Sequence, residues 1–400
     1  MNITNTTKTS IYRRASSKRP KVLCIYTGGT IGMKKDKDGS YFPVPGYLQE
    51  VTDRTPNFKD PGMPLFEILE YPTLIDSSNV KPQDWLNICQ DIEANYTAYD
   101  GFVVIHGTDT LSFTASALSF FLRNLSKHVV LTGAQIPLSE LYNDGLFNLI
   151  GAIYMAGWYE IPEVTLFFAG KLYRGNRTQK YSSWELTAFD SACFPCLAQW
   201  GATISVHDEF VMYHKEFLNL KEVSKSKHVG AIEQTESLEL MADDKPMDVM
   251  THPNESLIIP TKVCNDVVMI YLYPGISGQD ILAAAASKRG VILLAYGAGN
   301  GPTDDKHFVS AIKQLKSKNV VVIGVTQTHW GLVDLGMYSA GLGRAGAVSG
   351  FTMTPSAAYA KLVYLLSIGC SSLEEIETAM CTDIRGEIET FQASTARSNY

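Results

Sequence analysis

The chain has 400 residues, of which 45% are hydrophobic, 10% aromatic and 19% charged, the composition of a packed globular protein with room for two or three domains. That excludes wholesale disorder, collagen-like repeats and a membrane bundle, since no apolar run approaches the roughly 18 residues of a spanning helix. Net charge is −7, yet residues 1–21 carry Lys8, Arg13, Arg14, Lys18, Arg19 and Lys21 and no acid; the body is therefore more acidic still, which argues against nucleic acid as a partner.

In chain order, residues 1–20 lack a hydrophobic period and read as a disordered, basic tail; a transit segment shares this composition and is the weaker reading. Val22–Tyr26 is a buried-strand run ending at Thr27-Gly28-Gly29-Thr30. Met33–Phe42 carries an Asp38-Gly39 pair, the signal for a hairpin, which would fold over that strand end as a lid. Lys81–Asn95 has Pro82 near its start and Trp85, Ile88, Cys89 and Ile92 at helical spacing. Phe102–Ile105 is the next strand, Ser112–Leu125 the next helix, and His128–Leu131 and Val164–Phe168 are further strands. Strands alternating with helices predict βαβ units and a parallel sheet.

Residues 215–261 are polar and charge-rich and read as an interdomain linker with an insertion. A second α/β unit follows, with strands at Val267–Tyr273, Val291–Ala295 and Val320–Val325. Its helices are predicted near Gln279–Ala286, Asp304–Lys316, Ser356–Leu366 and Ser372–Met380, and Thr354-Pro355 reads as a cap and first helical residue. The expected fold is thus two α/β domains: a larger amino-terminal parallel-sheet domain with a lid hairpin over 21–214, and a smaller Rossmann-like domain over 262–392, with a tail at 393–400.

Ligands of open parallel sheets bind beyond the carboxyl ends of the strands. Two hydroxyl-rich turns fall there, Thr27–Thr30 and Gly107-Thr108-Asp109-Thr110, whose glycines let backbone N–H groups approach a ligand. A threonine hydroxyl is a weak nucleophile that needs a base. Asp109 can orient a polar network, and a lysine of lowered pKa can take the proton. The segment after Val164–Phe168 offers Lys171 and Lys180, with Arg174 and Arg177 beside them, and residue chemistry alone does not choose. Tyr41, on the return strand of the hairpin, is placed to bring a phenol to Thr30.

Tyr26-Thr-Gly-Gly-Thr-Ile-Gly-Met33 and His106-Gly-Thr-Asp-Thr-Leu-Ser-Phe-Thr-Ala-Ser-Ala-Leu118 resemble the two signature segments of the bacterial-type L-asparaginase family. Asp76-Ser77-Ser78 and Tyr173-Arg-Gly-Asn-Arg-Thr-Gln-Lys180 look most like its cytosolic type I branch, and the resemblance runs in family order over about 21–390. It implies hydrolysis of L-asparagine to L-aspartate and ammonia in the cytoplasm, with no metal or organic cofactor. Thr30 matches the primary nucleophile, Tyr41 its lid partner, and Thr108, Asp109 and Lys180 the second triad, which resolves the choice of lysine. Ser77 matches the residue that holds the substrate α-carboxylate, and Asp109 also holds the α-ammonium. Gly29, Gly107, Asp76, Ser78 and Ala134 complete the implied binding set, with backbone N–H groups at Gly29–Thr30 and Thr108 facing the oxyanion. Asn300 matches a position that reaches the site of a neighbouring subunit, which makes the working unit a homodimer or a dimer of dimers.

Two departures stand out. Ala134 replaces a serine of some type I relatives, so a backbone contact survives and a side-chain contact does not. Leu294 replaces an arginine that binds an allosteric asparagine in some bacterial type I enzymes, and a leucine cannot make that bidentate contact. Gly341-Leu-Gly-Arg-Ala-Gly346 follows no strand, so its dinucleotide pattern is discounted. Cys193-Phe-Pro-Cys196 lacks a second pair for zinc. The seven cysteines form no secreted disulfide framework, and the sequons at Asn2, Asn5, Asn95, Asn124, Asn176 and Asn254 follow no signal segment. Two other functions compete. One is a subunit of a tRNA-dependent amidotransferase, which usually carries an added amino-terminal domain; the other is a catalytically silent amino-acid sensor, which needs no paired nucleophile and base.

Overall fold

The computed structural model describes residues 10–212 and 256–389. The expected 393–400 tail, most of the linker with its charge clusters, and the first residues of the amino-terminal tail lie outside the described residues.

β1 (Lys21–Gly28) is buried beyond Lys21 and ends in one 3-10 turn, Thr30–Gly32. The predicted hairpin, β2 (Met33–Lys35) and β3 (Tyr41–Pro43), leaves from that turn. Its bend is built as the Asp-Gly pair suggests: Gly39 has φ +84°, and the Asp36 carboxylate accepts the backbone N–H groups of Asp38 and Ser40, each at 2.9 Å. After α1 (Tyr47–Arg54), β4 (Leu65–Ile75) returns parallel to β1. Then come α2 (Pro82–Ala94), β5 (Gly101–Ile105), α3 (Leu111–Phe121), β6 (His128–Thr132), α4 (Gly145–Trp158) and β7 (Val164–Phe168), and the parallel strands lie in the order β4-β1-β5-β6-β7. β8 (Lys171–Arg174) turns antiparallel to β7. The chain leaves the sheet for a separate two-residue pair, β9 (Gln179–Lys180) with β10 (Phe189–Asp190), and returns as β11 (Ala198–Trp200) and β12 (Ile204–Val206), which complete an eight-stranded sheet.

Alternation along the strands divides the core. Leu23, Ile25, Phe102 and Val104 belong to one buried cluster with α2 and α3, whereas Val22, Cys24, Tyr26, Val103 and Ile105 belong to another with α4. Both faces are covered, so the strands read as continuous apolar runs, and each buried Val, Leu, Ile or Phe stabilises by about 1.5–3 kcal/mol.

The second domain is a four-stranded parallel sheet, β13 (Val267–Tyr271), β14 (Gly290–Ala295), β15 (Val321–Thr326) and β16 (Val348–Ser349), adjacent in that order. Its helices are α5 (Gly278–Ala284), α6 (Lys306–Ser317), α7 (Pro355–Ser367) and α8 (Leu373–Cys381). Thr354 caps α7 by accepting the Ala357 N–H at 3.1 Å, with Pro355 at the first helical position. The two domains share a core: Leu111 and Leu118 of α3 lie in one cluster with Ala358 and Leu362 of α7 and Ile323 of β15.

The disordered tail expected over 1–20 is corrected from Ser10 onward. Ser10 Oγ donates to Asp208 at 2.5 Å, Arg14 pairs with Glu160 at 2.9 Å and Asp100 at 3.4 Å, and Tyr12 is buried. Arg14, one of the cations that suggested a solvated tail, instead neutralises Glu160 and Asp100, and Arg19 donates to the Met63 carbonyl at 2.7 Å. The linker reading is corrected at its end in the same way: Ile258 bridges Arg123, and Leu257 is buried. Among the described residues no helix is long and apolar enough to cross a membrane.

Candidate active site

β1 and β5 are parallel neighbours in register, Tyr26 opposite Ile105, so the turns that follow them emerge side by side. Their backbones touch: a Cβ added to Gly29 would lie 2.4 Å from both Cα and N of Gly107. Gly29 also sits at φ +92°, so two independent constraints demand glycine there. A third segment closes on the same point. A Cβ on Gly107 would lie 2.5 Å from Ser77 Oγ, and Thr110 Oγ1 donates to the Ser77 carbonyl at 2.7 Å. Ser77 is buried, whereas Asp76 and Ser78 are exposed and engaged with each other: the Asp76 carboxylate accepts Ser78 N–H at 3.0 Å and Ser78 Oγ at 2.7 Å. Those two bonds hold the Asp76 carboxyl below its usual range.

Thr30 and Thr108 therefore flank one meeting point. Thr30 is half-buried, and its hydroxyl has no hydrogen-bond partner among the described residues. Thr108 is buried and fully engaged. Lys180 Nζ donates to Thr108 Oγ1 at 2.9 Å and to Asp109 Oδ1 at 2.8 Å, and Thr108 donates in turn to Gln135 Oε1 at 3.1 Å. Asp109 keeps 66% of its side chain exposed and Lys180 only 17%, so the lysine reaches out from cover while the carboxylate faces solvent. Of the four cations left open by residue chemistry, Lys180 alone meets the threonine. Lys171 is exposed at the head of β8, while Arg174 and Arg177 are buried in contacts of their own.

His106 lies beneath this centre. Its Nδ1 bonds the Gly107 carbonyl at 2.7 Å and its Nε2 meets Thr114 Oγ1 at 3.1 Å, while Trp85 Nε1 donates to Thr114 at 3.2 Å. A carbonyl only accepts, so the proton sits on Nδ1 and Nε2 takes the Thr114 hydroxyl. Burial pushes the imidazole pKa down, in keeping with a neutral support for the Gly107 turn.

The lid hairpin is stitched to the loop after β6: Leu138 N–H donates to Ile31 and Ser139 Oγ to Met33. Tyr41 does not meet Thr30 as the sequence suggested. Its hydroxyl donates to Glu140 Oε1 at 2.9 Å, which Lys35 Nζ approaches at 2.8 Å, and Lys35 and Tyr41 together hold the Glu140 carboxyl below its usual range. A charged acceptor reinforced by a lysine outcompetes a neutral threonine for the phenol. Sequence reasoning missed Gln135 and Glu140. Gln135 stands next to Ala134 in a turn already singled out, whereas nothing local marks Glu140.

Ala134 is buried in the α4-side core. Asn300 sits in the second domain, on a turn bridged to Tyr296 and Gly341. Leu294 is a central-strand residue packed against the shared core. Cys193 and Cys196 are free thiols, and the Gly341–Gly346 segment holds a 3-10 turn, Leu342–Ala345, in which Leu342 and Ala345 are buried.

Residues 21–212 match the family model "Asparaginase, N-terminal" and residues 266–380 match "Glutaminase/Asparaginase C-terminal domain". The chain is 39% identical over 373 residues to L-asparaginase 1 of Escherichia coli (strain K12), covering 92% of this chain and 98% of that protein. It is 36% identical to the 60 kDa lysophospholipase of Mus musculus, covering 94% of this chain and 64% of that one. The crystal structure of L-asparaginase I from Vibrio cholerae superposes with a TM-score of 0.76 at 38% identity, over 93% of this chain and 100% of that one. Both domains and their order thus agree, and the chain belongs to the asparaginase family, in its type I branch.

Proposed function

We propose that the chain is an L-asparagine amidohydrolase, releasing L-aspartate and ammonia, with Thr30 as nucleophile and Thr108, Lys180 and Asp109 as the supporting relay. The observation that carries this reading is Lys180 Nζ within hydrogen-bond reach of both Thr108 and Asp109, where the Gly29 and Gly107 backbones meet.

The Thr30 hydroxyl attacks the side-chain amide carbon as its proton passes into the Thr108–Lys180 relay, and backbone N–H groups at Gly29–Thr30 and Thr108 receive the developing oxyanion. In the resting arrangement Lys180 donates to Thr108, whose own proton points to Gln135. Activation therefore needs a neutral Lys180 and a turn of the Thr108 hydroxyl from Gln135 toward it. Collapse of the tetrahedral intermediate expels ammonia, which takes its proton through the relay, and water then hydrolyses the acyl-threonine ester. Ser77, with Asp76 and Ser78 around it, holds the α-carboxylate, and exposed Asp109 holds the α-ammonium, which fixes the amide against both threonines. Tyr41 joins when the hairpin exchanges Glu140 for Thr30. The proposed reaction uses no metal or organic cofactor. Asn300 serves the site of a neighbouring copy in a homo-oligomer, and the protein works in the cytoplasm.

The test is ammonia release from L-asparagine by the parent, Thr30→Val and Thr108→Val. Each variant keeps the side-chain volume and removes the reacting hydroxyl, so turnover falls by about 10³-fold or more while the protein stays folded. Turnover within about tenfold of the parent in either folded variant refutes its role.

A further inference from the structure

Lys180 is poorly anchored by the main sheet. It ends β9, a strand of two residues paired only with β10, its backbone opposite Phe189. What is firmly held is the turn just before it, Arg174-Gly175-Asn176-Arg177, all of it buried, and the carboxy-terminal residues hold it. Arg174 Nη1 donates to the Gly386 carbonyl at 3.4 Å, Asn176 Nδ2 to the Arg385 carbonyl at 2.8 Å, and Arg177 Nη1 to the Glu387 carbonyl. Arg177 also donates to Thr352 Oγ1 at 2.9 Å and to the Cys193 carbonyl at 3.0 Å, and it lies 3.6 Å from the Glu389 carboxylate. Thr352 in turn accepts the Glu389 N–H at 2.9 Å. Thr178 Oγ1 closes the turn onto the Arg174 carbonyl at 2.7 Å.

The carboxy-terminal segment is itself built around a buried charge. The Glu387 carboxylate accepts the N–H groups of Ile384 at 3.1 Å and Arg385 at 2.6 Å and pairs with Lys361 of α7 at 2.5 Å, both side chains being 0% exposed. Lys361 adds bonds to the Met380 and Thr382 carbonyls. A chain of buried bonds thus runs from the second domain through residues 384–389 to the turn preceding the base.

We propose that residues Asp383–Glu389 form a clasp that positions Lys180 against Thr108, with Arg177 as the positioning residue through which it acts. This rests on Lys180 being the base of the relay. Arg177 touches no reacting atom. Its rigid fork serves the Glu387 carbonyl, Thr352 and the Cys193 carbonyl at once, which the point charge of a lysine cannot do. Loss of the fork lets β9 slide, and a displacement of about 1 Å at a catalytic group costs on the order of 10²-fold in turnover.

The experiment compares full-length parent, Arg177→Lys, Thr352→Val and Lys180→Met by steady-state ammonia release, with an unfolding midpoint for each. Arg177→Lys is expected to lower kcat by about 30- to 100-fold with KM for L-asparagine within about threefold, and Thr352→Val to lower kcat by about tenfold in the same pattern. Thr352→Val carries the test if Arg177→Lys does not fold. Folded variants whose kcat stays within about threefold of the parent, or whose loss lies in KM, overturn the clasp. An active Lys180→Met overturns the base assignment and the clasp with it. An inactive Lys180→Met beside a fully active Arg177→Lys rejects the clasp alone.

Discussion

The convergence of two turns on one point is tested most directly by Gly29→Ala. The new Cβ would stand 2.4 Å from Gly107 Cα and N and 2.8 Å from the His106 carbonyl carbon, where ordinary contact begins at 3.4 Å. All three are backbone atoms, so no side chain can swing aside, and the Thr30 and Thr108 turns must separate by about 1 Å, which costs on the order of 10²-fold in kcat. The substitution also forces alanine to φ +92° and ψ 174°, a conformation essentially reserved for glycine that costs about 1–3 kcal/mol. Gly369→Ala separates the two effects: Gly369 sits at φ +95° just past α7 with nothing within 4 Å. Both variants should lose stability in denaturant unfolding, Gly29→Ala the more because of its backbone clash. Only Gly29→Ala should lose ammonia release, measured per folded molecule at saturating asparagine. A Gly29→Ala enzyme within about threefold of the parent kcat, or an equal loss in Gly369→Ala, would refute the claim that contact between the turns sets the geometry.

Two further outcomes concern stability. Burial lowers the His128 pKa from 6.5 to about 4, with Nδ1 bonded to the Met155 and Tyr159 carbonyls at 3.1 Å and Nε2 to Thr165 Oγ1 at 2.9 Å. The unfolded chain then binds the proton first, so this stabilisation is complete above pH 6.5 and is lost as pH falls through 4. Roughly 3 kcal/mol of acid sensitivity should disappear in His128→Gln, and parallel stability–pH curves for parent and variant between pH 4 and 7 would count against it. Glu163 and Arg174 form a buried pair, Nε to Oε2 at 2.6 Å with side chains 3% and 6% exposed, and Glu163 also accepts the Met212 N–H at 2.5 Å. Glu163→Gln strands the guanidinium and should cost about 3–5 kcal/mol in urea unfolding; a cost under about 1 kcal/mol would show that the site relaxes or admits water.

Legibility followed locality. The strands at Val22–Tyr26 and Phe102–Ile105, the Asp38-Gly39 bend and the Thr354-Pro355 cap were readable because a few adjacent residues set each one. β4 escaped because it is an edge strand. Its burial alternates, its exposed positions include Glu67, and Pro72 interrupts it, a pattern that demotes a strand on sequence alone. α4 escaped for the opposite reason: Gly145–Trp158 is apolar nearly all round and largely buried, so no polar face marks a helical period. The ordered stretch at 10–20 was unreadable because its partners are far away in sequence: Arg14 pairs with Asp100 and Glu160, and Asp208 accepts from the Ser10 hydroxyl and the Ile11 N–H.

The same distinction divides the site. Each hydroxyl-bearing turn announces itself through its glycines, and the meeting of the two follows from neighbouring parallel strands. The base does not announce itself. Lys171, Arg174, Arg177 and Lys180 are equivalent cations in one polar stretch until tertiary contacts separate them. Arg174, Asn176 and Arg177 are occupied by carboxy-terminal carbonyls 212, 209 and 210 residues away. Those bonds bury the neighbours of Lys180 and leave it as the cation that reaches Thr108. A motif can specify that a threonine needs a lysine, but which lysine arrives is decided by what the rest of the chain has already engaged. On this reasoning the clasp is part of the catalytic specification even though it touches no substrate, and perturbations at residues 384–389 should register in turnover before they register in binding.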